Sequence, residues 1–263
     1  TEELQKALIQ RGIHPVFSTD TQAILEEISF HLDIEHGEIY RQLRDKGVAG
    51  EDILRMMNEK LSPLRIVSNA AKNWDGGYAI AGAIGNGDAF VLRDANGIRP
   101  CFYLKNDEII AFASERVPLM TVFEADESDV KEVKPGHVFV VKCDGTCYEE
   151  PYKPAGEKKA CTFERIYFSR GNDPQIYAER TALGRLLCPK LYESIGRDFK
   201  NSVFSYIPNT AEVAYYGMLH GLRMIRREQV KKELVKAVED GREFTDEFLD
   251  SLILDNWPRG EKI

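Results

Sequence analysis

The apolar positions of the first third fall at helical spacing. Leu4, Leu8 and Ile9 mark one face of Thr1–Gln10, a helix that Thr1 can cap and Gly12 stops. His14-Pro15-Val16-Phe17 is a short strand-like run. Four polar residues, Ser18 to Thr21, follow it, and any of them can cap a helix over Gln22–Leu32. Two more helices, Glu38–Lys46 and Glu51–Asn58, are set apart by Gly47 and Gly50, with Met56 and Met57 as core filler. Pro63 to Asn73 reads as a bridge into the next segment.

From Tyr78 the pattern changes to β. An apolar run breaks at Gly85-Asn86-Gly87-Asp88 and resumes as Ala89-Phe90-Val91-Leu92, which predicts a hairpin. Cys101–Leu104 and Glu108–Ala113 predict a second pair of strands turning at Asn106-Asp107, and Ala113-Ser114-Glu115 opens a helix toward Phe123. Lys134-Pro135-Gly136 is a turn into a strand, His137–Val141. Pro151–Lys159 has linker composition. Val203–Glu212 reads as a buried strand ending in a polar loop, with a helix through Leu222. Arg226–Asp240 is a charged amphipathic helix whose interspersed acids mark a solvated face or a partner contact, and a last helix ends near Trp257-Pro258. Helices and antiparallel strands in separate runs give an α+β chain.

Between the two strand pairs lies Arg93-Asp94-Ala95-Asn96-Gly97-Ile98-Arg99-Pro100. Asn96-Gly97 takes positive φ cheaply and Pro100 fixes the exit. Two arginines and an aspartate in one corner predict a cross-bonded turn, with Glu115 as a cap or a partner for Arg93 or Arg99.

Composition removes several classes. The 263 residues suffice for one large or two smaller domains, and 43% hydrophobic with 30% charged residues is ordinary for a globular protein. A net charge of −8 argues against nucleic acid or an anionic membrane as partner. No apolar run approaches the roughly 20 residues that span a bilayer. Five cysteines without regular spacing do not form a secreted disulfide framework. A zinc site on Cys143 and Cys147 lacks a second pair or a histidine at ligand spacing, so these read as hairpin cysteines. The expectation is a cytoplasmic, soluble protein. The start without methionine, inside an element, reads as that of a fragment or a processed piece.

Several of these stretches together resemble the amidophosphoribosyltransferase family. Tyr78-Ala79-Ile80-Ala81 followed by Arg93–Pro100 is similar to its Gly-Ala-Tyr-Ala and Arg-Asp-Pro-Asn-Gly-Ile-Arg-Pro signature, with Ala95 in place of proline. Ser18-Thr19-Asp20-Thr21 resembles its Ser-x-Ser-Asp-Thr-Glu, and Ala113-Ser114-Glu115 its Ala-Ser-Glu. Lys134-Pro135-Gly136 resembles its Pro-Gly-Glu, Cys161–Arg170 its interdomain junction, and Tyr177–Leu187 the helix that follows that junction. The strand and loop at Val203–Glu212 carry Asn209 where the family has aspartate.

The resemblance implies an incomplete αββα glutaminase sandwich over 1–150, a junction over 151–170, and the beginning of an α/β phosphoribosyltransferase domain with a charged helical tail over 171–263. It implies that Asp20, with Ser18 beside it, holds the α-amino group of glutamine. Arg93, Asp94, Arg99 and Glu115 would be structural. Some members bind an iron–sulfur cluster through a cysteine at the position of Cys161; members without a cluster also keep that cysteine, and a free thiol is the expectation.

The resemblance implies that the whole protein transfers ammonia from glutamine to phosphoribosyl pyrophosphate, making phosphoribosylamine for purine biosynthesis, with Mg²⁺ and as a homo-oligomer. It places the N-terminal cysteine nucleophile, its Asn-Gly oxyanion hole and its carboxylate-binding arginine ahead of the first helix, so no catalytic residue is expected among these 263. Thr1 is a poor substitute nucleophile, because such a residue starts a strand and Thr1 starts a helix. The pyrophosphate site needs an Asp-Asp pair, which this sequence lacks. The chain by itself is therefore expected to be inactive and to hold no cofactor. The competing readings are a non-catalytic homologue acting as a binding or regulatory module, and another class II glutamine amidotransferase.

Overall fold

A computed structural model describes residues 2–254 and 256–262, so the readings placed on Thr1 lie outside the described residues. The chain divides into two compact units, Thr1–Cys161 and Thr162–Ile263. In the first, α1 (Glu2–Gln10) ends at Gly12, whose φ is +81°. His14–Phe17 forms no strand. Pro15 has no N–H to pair, Val16 and Phe17 are exposed, and the Phe17 N–H donates to the Gln22 side chain at 2.7 Å.

The two helices expected over 22–46 are one, α2 (Asp20–Asp45), which runs through Gly37. A helical glycine costs about 1 kcal/mol, less than the burial of Ile39 and Leu43 returns. Buried Glu35, bonded to Arg65 Nε at 3.0 Å, anchors the same stretch. After α3 (Glu51–Lys60), the expected bridge is instead a helix, α4 (Pro63–Ala70). Ser62 caps it by accepting the Arg65 N–H at 3.3 Å, and Pro63 occupies the first turn, where its missing N–H costs nothing. Met56 and Met57 pack against the Ile39–Leu43–Ile66 cluster.

Strands β1 (Ala79–Ala83), β2 (Ala89–Arg93), β6 (His137–Val141) and β7 (Cys147–Pro151) form an antiparallel sheet in the order β1-β2-β6-β7. Strands β3 (Phe102–Lys105), β4 (Ile110–Ala113) and β5 (Val130–Glu132) form a second, in the order β4-β3-β5. Period-two alternation sorts the side chains into layers. Phe90, Leu92, Val138 and Val140 face Val67, Ala70, Ala71 and Trp74 of the helical side. Val91 and Phe139 lie directly opposite each other across β2 and β6 and point the other way. There Phe139 meets Tyr103 at 4.9 Å and Phe112 at 5.2 Å between ring centroids. Beyond the second sheet, Leu104 and Val130 pack on Leu119 of α5 (Arg116–Val122). The unit is thus layered helix, sheet, sheet, helix.

The second unit opens with a π-helical turn, Glu164–Phe168, and then pairs α6 (Pro174–Ser194) with α7 (Glu212–Glu239). Asp173 caps α6, accepting the Gln175 and Ile176 N–H groups at 2.9 and 3.2 Å. The two helices expected through Leu222 and over 226–240 are one, since no breaker separates them. The buried strand expected from Val203 shrinks to β8 (Val203–Phe204), paired in parallel with β9 (Arg259–Gly260). Val203 is half-exposed and Ile207 fully so, because a two-residue pairing leaves the rest of that run without a sheet to enter. The last helix, α8 (Asp246–Ile253), stops short of Trp257; Arg226 ties it to α7 by donating to the Leu252 carbonyl at 2.9 Å.

Helices α6 and α7 meet backbone to backbone. A Cβ on Gly184 would strike the Ala214 carbonyl, and one on Gly217 the Thr181 carbonyl. The Cys188 thiol, bonded to the Met218 carbonyl at 3.2 Å, fills the space beside Gly221. Gly184→Ala or Gly217→Ala should therefore destabilise this unit by about 1–3 kcal/mol despite the better helix propensity of alanine, read as a lower urea midpoint.

In the first unit Arg11 forks onto buried Glu27 at 3.0 Å, with His31 at 3.8 Å from the same carboxylate. Burial lowers the His31 pKa from its ordinary 6.5; Glu27 opposes the shift, while Arg11 and Lys72 add to it. The unfolded chain then binds more protons than the folded one in the window below 6.5, so stability falls on acidification through that window. His31→Gln should flatten this part of a pH–stability curve.

Candidate functional site

The corner after β2 is built around two buried charges. Asp94 is fully buried and Arg93 nearly so. Asp94 Oδ1 accepts the N–H groups of Asn96 and Ile98 at 3.1 and 2.9 Å, and Oδ2 those of Arg99 and Tyr78 at 3.0 and 3.3 Å. Its backbone closes the same knot, with the Gly97 and Gly136 N–H groups donating to its carbonyl at 3.2 and 3.0 Å. Gly97 has φ +60°, and a Cβ there would press on Pro135 and the Arg93 guanidinium at 3.0 and 3.2 Å.

Arg93 donates through Nε to the Arg99 carbonyl at 2.8 Å, through Nη1 to the Val133 carbonyl at 2.8 Å, and through Nη2 to the Gly97 carbonyl at 3.0 Å. Glu132 on β5 lies 2.9 Å from the same Nη2. Arg93 thus links the end of one sheet to the other. Arg93, Asp94 and Arg99 are brought together through side-chain-to-backbone bonds. Glu115 takes the N-cap position of α5, and Glu132 is an acidic partner of Arg93. No spacing rule picks out Glu132, because its pairing depends on the sheet-to-sheet approach.

Two tyrosines extend the knot. Tyr152 donates to the Arg93 carbonyl at 2.9 Å, so in the 3.0 Å contact between the two hydroxyls Tyr78 is the donor. Burial first, then the neighbouring hydroxyl, pushes the Tyr152 pKa far above the phenol range, and burial raises that of Tyr78. The segment of linker composition is also fastened here. The Gly156 and Lys159 N–H groups each donate at 2.9 Å, to the carbonyls of Ala95 and Asn96, and Asn96 Nδ2 donates to the Glu157 carbonyl at 2.8 Å. Lys153 reaches the Ala71 and Trp74 carbonyls. The donors and acceptors named here are engaged within the fold and join the two sheets.

Ser18 and Asp20 stand elsewhere, at the N-terminus of α2, and both are exposed. Thr19 is the N-cap, with its Oγ1 accepting the Gln22 N–H at 3.4 Å, which places Asp20 in the first helical turn. A carboxylate there sits in the favourable end of the helix dipole. Cys161 is a half-exposed free thiol. Among the described residues no group of three or more His, Cys, Asp or Glu is arranged to hold a metal.

Sequence reading missed a groove of about 900 Å³ between the two sheets. Val91, Phe112 and Phe139 form its floor, β1 one wall, and Lys105 and Glu108 part of its rim. Every second residue of β1 on that side, Ala79, Ala81 and Ala83, is small and exposed. That small-residue alternation is the signal available in the sequence.

The first unit is thus layered helix, sheet, sheet, helix, with the arginine–aspartate corner between the sheets. The family model for class-II glutamine amidotransferases matches residues 51–148. The curated proteins it is similar to are amidophosphoribosyltransferases. It is 30% identical over 202 residues to the enzyme of Pasteurella multocida, covering 73% of this chain and 36% of that protein. It is 24% identical over 219 residues to the Saccharomyces cerevisiae enzyme, covering 78% and 39%. The chain therefore spans little more than a third of these relatives. A solved structure of glutamine phosphoribosylpyrophosphate amidotransferase from B. subtilis, complexed with ADP and GMP, has the same fold at TM-score 0.50 and 20% identity, covering 72% of this chain and 42% of that one. Among the described residues no helix is long and apolar enough to cross a membrane.

Removing the corner carboxylate leaves four N–H groups, packed around a buried site, without their acceptor. Asp94→Ala should cost about 3 kcal/mol or more by chemical denaturation, and Tyr152→Phe about 1 kcal/mol.

Proposed function

We propose that this chain is part of an enzyme that takes ammonia from glutamine and delivers it to phosphoribosyl pyrophosphate, giving phosphoribosylamine. The observation that carries this reading is the exposed Asp20 carboxylate in the first turn of α2, on a class II glutaminase scaffold whose relatives are amidophosphoribosyltransferases. Asp20 pairs with the α-ammonium of glutamine, and the Ser18 hydroxyl gives a second polar contact on the same wall. The corner at Arg93, Asp94 and Arg99 keeps that wall and the sheets in register. Mg²⁺ accompanies the pyrophosphate substrate, at carboxylates this reading does not assign to the present chain. The whole protein is a cytoplasmic homo-oligomer, and the 263 residues alone release no ammonia.

Ammonia release from glutamine, with and without phosphoribosyl pyrophosphate, tests this in the protein that carries the chain. Asp20→Asn removes a charge-assisted contact and should raise the glutamine KM about tenfold to a hundredfold, with a smaller effect on kcat. An unchanged KM would take Asp20 out of the site. A whole protein with no glutamine hydrolysis would replace the catalytic reading by that of a binding or regulatory module.

A further inference from the structure

The five cysteines are all free, and they differ in their surroundings. Cys101 and Cys188 are buried, and burial pushes both thiols up, Cys101 to about 11. Cys143 is exposed on the β6–β7 turn, and Cys161 is half-exposed. Cys147 begins β7, and its Sγ lies 2.9 Å from the Lys105 Nζ. Among the described residues it is the one thiol hydrogen-bonded to a lysine.

The two residues belong to different sheets. Lys105 ends β3, the middle strand of the three-stranded sheet, and β7 is an edge strand of the four-stranded one. Both line a cavity of about 770 Å³ together with Tyr103, Phe139 and Glu149, so a small solute reaches the sulfur from solvent. The amine and the sulfur are thus in contact, accessible, and held there by two separate strands.

We propose that Lys105 and Cys147 form an oxidative modification site, in which a peroxide converts the pair into a covalent Nζ–Sγ sulfenamide link between the two sheets. The Cys147 thiolate attacks one oxygen of hydrogen peroxide; the O–O bond breaks, sulfur is oxidised to the sulfenic acid, and hydroxide leaves. Hydroxide takes a proton from the Lys105 ammonium and becomes water. The freed Nζ electron pair then attacks Sγ, the S–O bond breaks, and the sulfenic oxygen departs with the second nitrogen proton as another water. One peroxide is consumed and two waters form. A thiol reductant reverses the link by attacking Sγ and returning the amine.

Peptide mass mapping of the full chain after mild hydrogen peroxide treatment tests the site. The expected product is a linked pair of peptides containing Lys105 and Cys147, lighter than the two reduced peptides together by about 2 Da (two hydrogens lost), and abolished by dithiothreitol. Lys105→Arg keeps the cation but has no amine free to attack, so its Cys147 should go on to the sulfinic acid and no link should form. Equal oxidation of Cys147 to the sulfinic acid in both proteins, or a Cys143–Cys147 disulfide instead of the lysine link, would overturn the proposal.

Discussion

Four backbone N–H groups converging on one carboxylate set the geometry of the first unit. Asp94 is fully buried, and a carboxyl group in that position is tolerable because four N–H groups supply both of its oxygens with hydrogen bonds. Arg93 beside it satisfies three carbonyls and the Glu132 carboxylate. The pair therefore fixes the turn after β2, the start of β3, the strand β5 and, through Tyr152, the end of β7. Such an arrangement adds less net stability than its bond count suggests, since two charges had to leave water. Its effect is on uniqueness: any other path for residues 94–100 strands a charge in the core.

The strands and the corner were legible because they are local. The Gly85–Asp88 turn, the Asn106-Asp107 turn and the Pro135-Gly136 turn each carry the residue types that their backbone needs, and β1 to β4 and β6 lie where the alternation puts them, whereas β5 and β7 were not read as strands. Helix boundaries failed where long-range packing outweighed a local breaker. Gly37 did not end α2, because Glu35 and Ile39 are buried on either side of it. The run at His14–Phe17 has strand composition and no strand to pair with, and Val203–Tyr206 has a two-residue partner only. Helix α4 was readable in principle, from Ser62-Pro63 followed by the apolar spacing of Ile66, Val67 and Ala70.

Of the site, the sequence showed residue types and not meetings. Arg93, Asp94 and Arg99 could be grouped because they are neighbours in the chain. Glu132, Tyr78 and Tyr152 could not, since their contacts with the corner exist only once the sheets are stacked. Linker composition at 151–159 concealed a segment bonded at both its glycine and its lysine to the corner. Composition reports what a segment can bury; its hydrogen bonds depend on what lies beneath it.

The outer margin of β1 bears on how this chain behaves in concentrated solution. Among the described residues β1 has one strand neighbour, and its sequence, Ala-Ile-Ala-Gly-Ala, contains none of the lysines, prolines or bulges by which natural sheets blunt a free edge. Its small side chains let another backbone approach closely on the groove side. A strand laid along this margin meets backbone almost directly, and where none lies there the margin is a template for strand pairing with a second molecule.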